Sequence, residues 1–244
     1  MSKIVVLDPG HGGTDSGALG NGLVEKNLTL ELALMVQNRL AHYVDVTLTR
    51  SSDVFIGLTE RADRANNLKA DLFVSLHINA GGGTGFESYI RREVDAASVN
   101  VQNIIHKEVA AYYLRFGFPD RGKKRADFVV LRRTTMPAIL LENLFIDTIR
   151  DADKLGDSAF LNGAAEAIST GILKALGIQP GSTAPPTTVP PSTVPVTAAP
   201  HWAQQDFDRL RKTGLVSGEH NLDSNVTWGE LSAVVARLLD KLGI

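Results

Sequence analysis

Residues 71–78 read DLFVSLHI, a run in which all but three side chains are apolar and a histidine stands next to last. An apolar run this short is suited to a buried strand. Five other segments are apolar or alternate apolar with polar side chains over a similar length. The pattern therefore predicts further strands at residues 4–7, 44–49, 86–90, 127–131 and 138–145.

Helix-like segments separate these strands. Apolar side chains recur at helical spacing in residues 28–43, 99–113 and 160–176. Strands that alternate with helices favour an α/β fold with a mostly parallel central sheet. Residues 1–178 are enough to enclose one hydrophobic core of this kind, and we predict that they form the first domain.

The composition excludes several classes of function. The 244 residues include 25 Lys and Arg against 27 Asp and Glu, so the formal net charge is −2. This balance gives no electrostatic basis for binding nucleic acid. The sequence contains no cysteine, which removes disulfide frameworks, thiol nucleophiles and iron–sulfur clusters. A metal site would have to use His, Asp and Glu.

The last quarter of the chain differs in composition. Seven of the ten prolines lie between residues 180 and 200, and residues 179–200 carry no charge, so we predict an extended linker there. Residues 201–244 show two helical patterns, and Thr227 with Glu230 forms a capping box for the second. A two-helix module is too small to bury much alone, and we expect it to pack on a copy of itself, on the first domain or on a partner.

The chain contains no long apolar segment. The run at residues 4–7 has four apolar side chains, whereas a secretory signal needs roughly 7–15 and a membrane helix about 20. We therefore expect neither a signal peptide nor a membrane partner.

Two histidines lie where active sites form in α/β folds. His11 follows the first strand within DPGHGG (8–13), and His77 ends the strand at 71–78. Sites in open α/β sheets form at the carboxyl ends of strands, so these two side chains can converge. The other four histidines favour a surface or capping role; they are His42, His106, His201 and His220.

Two glutamates allow two interpretations each. Glu25 precedes the first helical pattern, where it is either a first-turn acid that complements the helix dipole or a ligand. Glu142 stands in the apolar run AILLENLF, where a carboxylate needs an Arg or Lys partner, a proton or a metal. With His11 and His77, Glu25 completes a group of two histidines and one carboxylate, and Glu142 lies nearby. Three ligands with an open fourth position are typical of catalytic zinc sites.

Other motifs predict no chemistry. The glycine-rich run at 10–13 lacks the Lys-Ser/Thr end of a phosphate loop, and Ser75 lacks the glycines of a nucleophile elbow. The basic run at residues 123–125 is typical of a solvated turn, although in a pocket it could meet a substrate carboxylate.

At these residues the chain resembles the zinc-dependent N-acetylmuramoyl-L-alanine amidases of the type-3 amidase family, which includes autolysins and phage endolysins. The matching segments are LDPGHGGTDSGALGNGLVEKNLTLELA (7–33), LTERADRANNLKADLFVSLHINA (58–80) and DFVVLRRTTMPAILLENLFID (127–147). The resemblance implies a mixed, mostly parallel six-stranded sheet flanked by helices, as in the phosphorylase/hydrolase-like fold.

The resemblance also implies the roles of individual residues. One Zn²⁺ would be held by His11, Glu25 and His77, with Glu142 as the catalytic carboxylate that takes the proton of the attacking water. Asn79 is our choice for a side chain that contacts the substrate. Leu144 stands where the family usually has glycine, which leaves the local backbone shape open.

The tail resembles one divergent S-layer-homology repeat, with Trp228 where that pattern usually has Arg. The resemblance implies binding of a secondary cell-wall polymer, and self-association through the helix pair is the alternative.

The resemblance therefore implies hydrolysis of the amide bond between N-acetylmuramic acid and L-alanine in bacterial peptidoglycan. Two other activities remain open. One is a zinc peptidase acting on stem peptides, which would need a positioned arginine such as Arg61 or Arg64, although both have the pattern of helix-surface residues. The other is a non-catalytic wall-binding protein.

For the biological setting we expect a phage endolysin, made in the host cytoplasm and acting on the cell wall after release. A bacterial autolysin or sporulation amidase exported by another route is the alternative.

Overall fold

The structure is a computed structural model that describes residues 2–93 and 95–179, together with Lys212, Thr213, Val234 and Leu238. The chain divides into two units, Met1–Thr187 and Thr188–Ile244. The predicted linker after residue 179 and the predicted helical module, with its capping box and its two histidines, lie outside the described residues apart from the four named. No helix in the described part has the length and apolar character needed to cross a membrane.

Strands and helices alternate along the first unit. In chain order they are β1 (Ile4–Pro9), β2 (Leu19–Gly20), β3 (Leu23–Val24), α1 (Glu25–Leu40), β4 (Asp45–Leu48), α2 (Leu58–Asn67), β5 (Leu72–Asn79), β6 (Phe86–Ile90), α3 (Ala96–Arg115), β7 (Asp120–Arg125), α4 (Val129–Arg133), β8 (Ala138–Phe145), α5 (Ile149–Leu155) and α6 (Ser158–Ala175).

Six of the strands form one sheet in the order β4-β1-β5-β8-β6-β7, while β2 and β3 form a separate antiparallel pair. All neighbours in the large sheet are parallel except β6 and β8. The predicted fold class, a mixed and mostly parallel six-stranded sheet flanked by helices, is therefore confirmed.

Helices cover both faces of this sheet. Val5 and Leu7 of β1 pack with α1, α3 and α6 in the larger core. Val6, between them, packs with Ala65 of α2 and Leu131 of α4 on the other side. Because successive side chains of a strand point to opposite faces, a strand covered on both faces is apolar throughout, which explains the continuous apolar runs in β1, β5 and β8.

One strand prediction is wrong. Residues 127–131 do not form a strand, because the chain there enters α4, which begins at Val129 after Phe128. A short apolar run does not distinguish a buried strand from a buried helical turn. The sixth strand is instead β7, with sequence DRGKKR, which lies at the sheet edge. Charged side chains are common on edge strands because they discourage pairing with other chains.

A β-bulge interrupts the pairing of β5 with β8. His77 pairs with Glu142, but Asn79 pairs with Phe145, so β8 has one extra residue. Leu144 lies within this bulge, is fully buried and has φ of +62°. Leu144, which stands where the resembled family usually has glycine, therefore adopts a left-handed backbone conformation that glycine adopts without strain.

Candidate active site

The central strands β1, β5 and β8 bring the predicted site residues to one end of the sheet. His11 lies two residues after the end of β1, and His77 lies near the carboxyl end of β5. Glu142 lies on β8, where it pairs with His77 of the neighbouring strand. Together with Glu25 and Asn79, they line one cavity of about 600 Å³. All five candidate residues are therefore assembled around one space.

Glu25 is the first residue of α1 and is 4% exposed. Its Oε1 lies 3.1 Å from Nε2 of His11 and 3.0 Å from Nδ1 of His77. The backbone N–H groups of Ile78 and Ala18 donate to Oε1 and Oε2 at 3.0 and 2.8 Å. Glu25 is thus both a first-turn acid and the common partner of the two histidines.

These contacts determine the charge of the group. Burial raises the pKa of Glu25, but hydrogen bonds and positive charge from His11 and His77 outweigh burial and hold the pKa well below its usual range. Burial lowers the pKa values of both histidines, yet their contacts with Glu25 raise them overall. Each residue offers a ligand atom, and the three atoms lie within 4.8 Å of one another, so the group could hold a metal ion.

Asp15 is a candidate functional residue that the sequence-based prediction did not include. Its Oδ2 lies 2.9 Å from Nδ1 of His11, on the opposite side of the ring from Glu25, and its Oδ1 accepts from the backbone of Gly17. A carboxylate on the second nitrogen of a metal-binding histidine fixes the ring orientation and tautomer. An aspartate four residues after His11 was the available signal.

The side chain of Arg61 holds the loop that carries His11. His11 has φ of +62°, and Nη2 of Arg61 donates to its carbonyl at 2.7 Å. Arg61 also donates to the carbonyl of Pro9 and to the carboxylate of Asp8, and it is 2% exposed. The prediction of Arg61 as a helix-surface residue is therefore wrong, because backbone carbonyls in the tight turn require a buried donor.

Two glycines allow this close packing. A Cβ on Gly10 would overlap the imidazole of His77, and a Cβ on Gly17 would lie 2.6 Å from both Glu25 and His11. The glycines of the DPGHGGTDSG segment therefore do more than turn the chain, since they leave the volume that the site side chains occupy.

Glu142 has no Arg or Lys partner among the described residues. Its Oε2 is buried and makes no hydrogen bond with any of them. Burial raises the pKa of Glu142 to about 7, reinforced by the charges of Glu25 and Glu87 and opposed by His77 and His11. The described part of the chain therefore does not support the interpretation of Glu142 as the structural partner of an Arg or Lys.

Glu87 lies opposite Glu142 in the antiparallel pair β6–β8. Its carboxylate accepts from Nδ2 of Asn79 at 3.0 Å, and from Tyr89, Arg121 and Lys124. One amide hydrogen of Asn79 is thus committed to Glu87 while the residue lines the cavity.

Two histidines outside the site have different environments. His42 is exposed, as expected. His106, expected at the surface or at a cap, is 4% exposed and contacts Ser88 at 2.8 Å and Asp120 at 2.9 Å. Both ring nitrogens are satisfied between α3 and the sheet, which makes this imidazole a buried structural link.

The relatives of the chain include amidases of bacteria and an endolysin of a phage. The family model described as N-acetylmuramoyl-L-alanine amidase matches residues 5–174. The chain is 46% identical over 183 residues to the sporulation-specific N-acetylmuramoyl-L-alanine amidase of Bacillus subtilis, covering 74% of this chain and 71% of that protein. It is also 46% identical over 192 residues to the endolysin of Bacillus phage SPP1, covering 76% and 71%.

Solved structures of amidases resemble the chain as well. The catalytic domain of CwlV, an amidase from Bacillus (Paenibacillus) polymyxa var. colistinus, is 40% identical with a TM-score of 0.68, covering 72% of this chain and 99% of that one. The amidase of Clostridium difficile 630 is 33% identical with a TM-score of 0.69, covering 73% and 99%. The chain belongs to the N-acetylmuramoyl-L-alanine amidase family, hydrolases that cleave an amide bond of peptidoglycan.

Proposed function

We propose that this amidase is a zinc enzyme in which one Zn²⁺ is held by His11, Glu25 and His77. The observation that carries the proposal is the convergence of two imidazoles and a carboxylate, with ligand atoms within 4.8 Å, on the wall of one cavity. Imidazole nitrogen and carboxylate oxygen are both zinc ligands, and three protein ligands leave a position for water or substrate.

The surroundings of the three ligands fit this ion. Asp15 holds Nδ1 of His11 at 2.9 Å, which leaves Nε2 for the metal. Backbone N–H groups orient the carboxylate of Glu25.

Glu142 is the proton carrier in this proposal. When bound, zinc supplies Lewis acidity, which polarises a carbonyl and makes water easier to deprotonate. Glu142 accepts the proton of the attacking water on a carboxylate oxygen and later donates it to the departing amine of L-alanine. Burial raises the pKa of this carboxyl above its usual range, which favours holding the proton between the two steps, and its buried Oε2 has no competing partner among the described residues.

Asn79 is proposed as a substrate contact. It lines the cavity, and Nδ2 has a second hydrogen besides the one donated to Glu87. That hydrogen is available to an oxygen of the substrate.

The two arginines that the sequence offers for a zinc peptidase are engaged elsewhere. A clamp for a terminal carboxylate needs a free guanidinium, whereas Arg61 is committed to Asp8 and to backbone carbonyls. Arg64 is paired with Glu60 and donates to the carbonyl of Thr49.

For the biological setting we propose a phage endolysin that acts on the cell wall after release from the host cytoplasm. The support is the 46% identity to a phage endolysin. A sporulation amidase or autolysin is the alternative, since a sporulation-specific amidase is equally similar. We further propose that residues 201–244 bind a secondary cell-wall polymer, with self-association as the alternative role.

Mass spectrometry of peptidoglycan digested by the full chain tests bond and metal together. We expect intact stem peptides that begin with L-alanine and glycan with free lactyl carboxyls, no products after chelation, and recovery when Zn²⁺ is returned. Peptides cut within the stem would support the peptidase alternative. Unchanged activity in a chelated sample shown to be metal-free would contradict the zinc proposal.

A further inference from the structure

The edge strand β7 presents two different faces. Lys123 pairs with Ser88 and binds Asn103 of α3. Lys124 pairs with Tyr89 and contacts Glu87. Because side chains alternate along a strand, Lys124 lies on the same sheet face as Glu87, and Lys123 lies on the face covered by α3.

Glu87 binds two cationic side chains next to Glu142, the proposed catalytic carboxylate. Its Oε2 accepts from Nε of Arg121 at 2.7 Å and from Nζ of Lys124. Its Oε1 accepts from Tyr89 and Asn79. One buried carboxylate therefore faces two cations, and the cluster keeps one excess positive charge.

The cations keep free donors. Arg121 donates through Nε and lies 4.8 Å from the ring centre of Phe145, but its Nη1 and Nη2 donate to no group among the described residues. The Arg121 and Lys124 side chains are 35% and 36% exposed, against 4% for Glu87. A guanidinium fork that is open to solvent matches the geometry of a carboxylate.

The distance between the Glu142 carboxylate and the two cations, Arg121 and Lys124, indicates which part of a substrate can reach them. Glu87 and Glu142 are direct cross-strand neighbours, whose Cβ atoms are about 5 Å apart in an antiparallel pair. Adding the side chains places the cations roughly 8–12 Å from the Glu142 carboxylate, which is about two to three residues of extended peptide.

We propose that Arg121 and Lys124 form a subsite for a free carboxylate on the second or third residue of the stem peptide. This inference rests on the proposed role of Glu142 at the scissile amide. The subsite would make the enzyme prefer stem peptides with ionised carboxyl groups over the same peptides in amidated form.

The test uses the full chain and two soluble glycan–peptide fragments that differ only in stem carboxyls left free or converted to carboxamides. We expect the wild type to cleave the free form with kcat/KM about tenfold higher, as one charge-assisted hydrogen bond supplies. Arg121→Gln and Lys124→Gln should each reduce this preference through a higher KM for the free form. Each single variant leaves one cation on Glu87, so the buried carboxylate keeps a partner.

Lys123→Gln is the matched control, since it removes a charge from the other face of the same strand and should keep the full preference. Equal cleavage of both fragments by the wild type would overturn the subsite, as would variants that lose activity on both fragments alike. Failure of the wild type to release L-alanine-terminated peptides from either fragment would count against the proposed function instead.

Discussion

Single residues in this protein show why a charged side chain in an apolar run is informative. Glu142 interrupts a strand whose other side chains are almost all apolar, and burying a carboxylate without a partner is costly. The sequence alone therefore indicates Glu142 as a candidate functional residue. Asp15 gave no such signal, because an aspartate in a glycine-rich loop is ordinary and its contact with His11 depends on how the loop turns.

The proposed division of roles predicts different outcomes for Glu142 and His77. Glu142→Gln should lower kcat by about 10²–10⁴-fold, because it removes the proton carrier, while the zinc content stays at one ion per chain. His77→Ala should lose zinc and activity together. Zinc analysis of the purified proteins, with turbidity loss of a cell-wall suspension, measures both. Loss of zinc from Glu142→Gln would contradict the assignment.

A second prediction concerns the volume left by glycine. Gly10→Ala should displace the His77 ring, since the added Cβ would overlap it, and should weaken zinc binding by about 10–100-fold, as changes around metal ligands commonly do. Gly57→Ala is the control, because an added Cβ there meets no atom within 4 Å. Competition with a zinc chelator measures the affinity. Equal affinities for the two variants would show that the ring has room to move.

At the scale of elements, the sequence predicted five of the six strands of the large sheet and three of the longer helices. These elements are buried on one or both sides, so their apolar spacing is determined by packing. The strand β7 was missed because an edge strand has one neighbour and tolerates DRGKKR. The hairpin β2–β3 was missed because pairs of two residues leave no periodic pattern.

The bulge in β8 yields a prediction about strain. Leu144→Gly should destabilise the protein, because it removes a buried side chain, but by about 1–2 kcal/mol less than Leu141→Gly. Both leucines are fully buried, yet only Leu144 has positive φ, where a residue with a Cβ pays roughly that amount. Urea denaturation of the two variants measures the difference. Equal losses of stability would mean that the left-handed conformation is not strained.

For the molecule as a whole, the sheet order explains how residues distant in sequence meet. His11, Glu25, His77 and Glu142 span more than half of the first unit, and the parallel pairing of β1, β5 and β8 places three of them at one end. Periodicity alone did not fix this order. The sequence resemblance implied a mixed, mostly parallel six-stranded sheet and the site residues. The structure supplied the strand order and the contacts of Asp15, Arg61 and Glu87 that spacing does not encode.

Global stability should depend on pH through Glu87. Burial raises the pKa of this carboxyl, but Lys124, Tyr89 and Arg121 together lower it to about 2 in the folded protein, whereas an unfolded glutamate titrates near about 4.3. The unfolded state therefore binds the proton more readily. The resulting stability is fully present above about pH 4.5 and is lost as the pH falls towards 2, by roughly 3 kcal/mol at most.

Urea denaturation between pH 6 and pH 2.5 tests this dependence. The free energy of unfolding of Glu87→Gln should fall less steeply with acid than that of the wild type, so that the two curves approach each other at low pH. Glu60→Gln is the control, since its carboxylate pairs with Arg64 on an exposed helix surface and such pairs contribute little; it should follow the wild type. Parallel curves for Glu87→Gln and the wild type would show that the cations do not stabilise the ionised carboxylate. In that case the charge of Arg121 and Lys124 would serve the substrate without contributing to the fold.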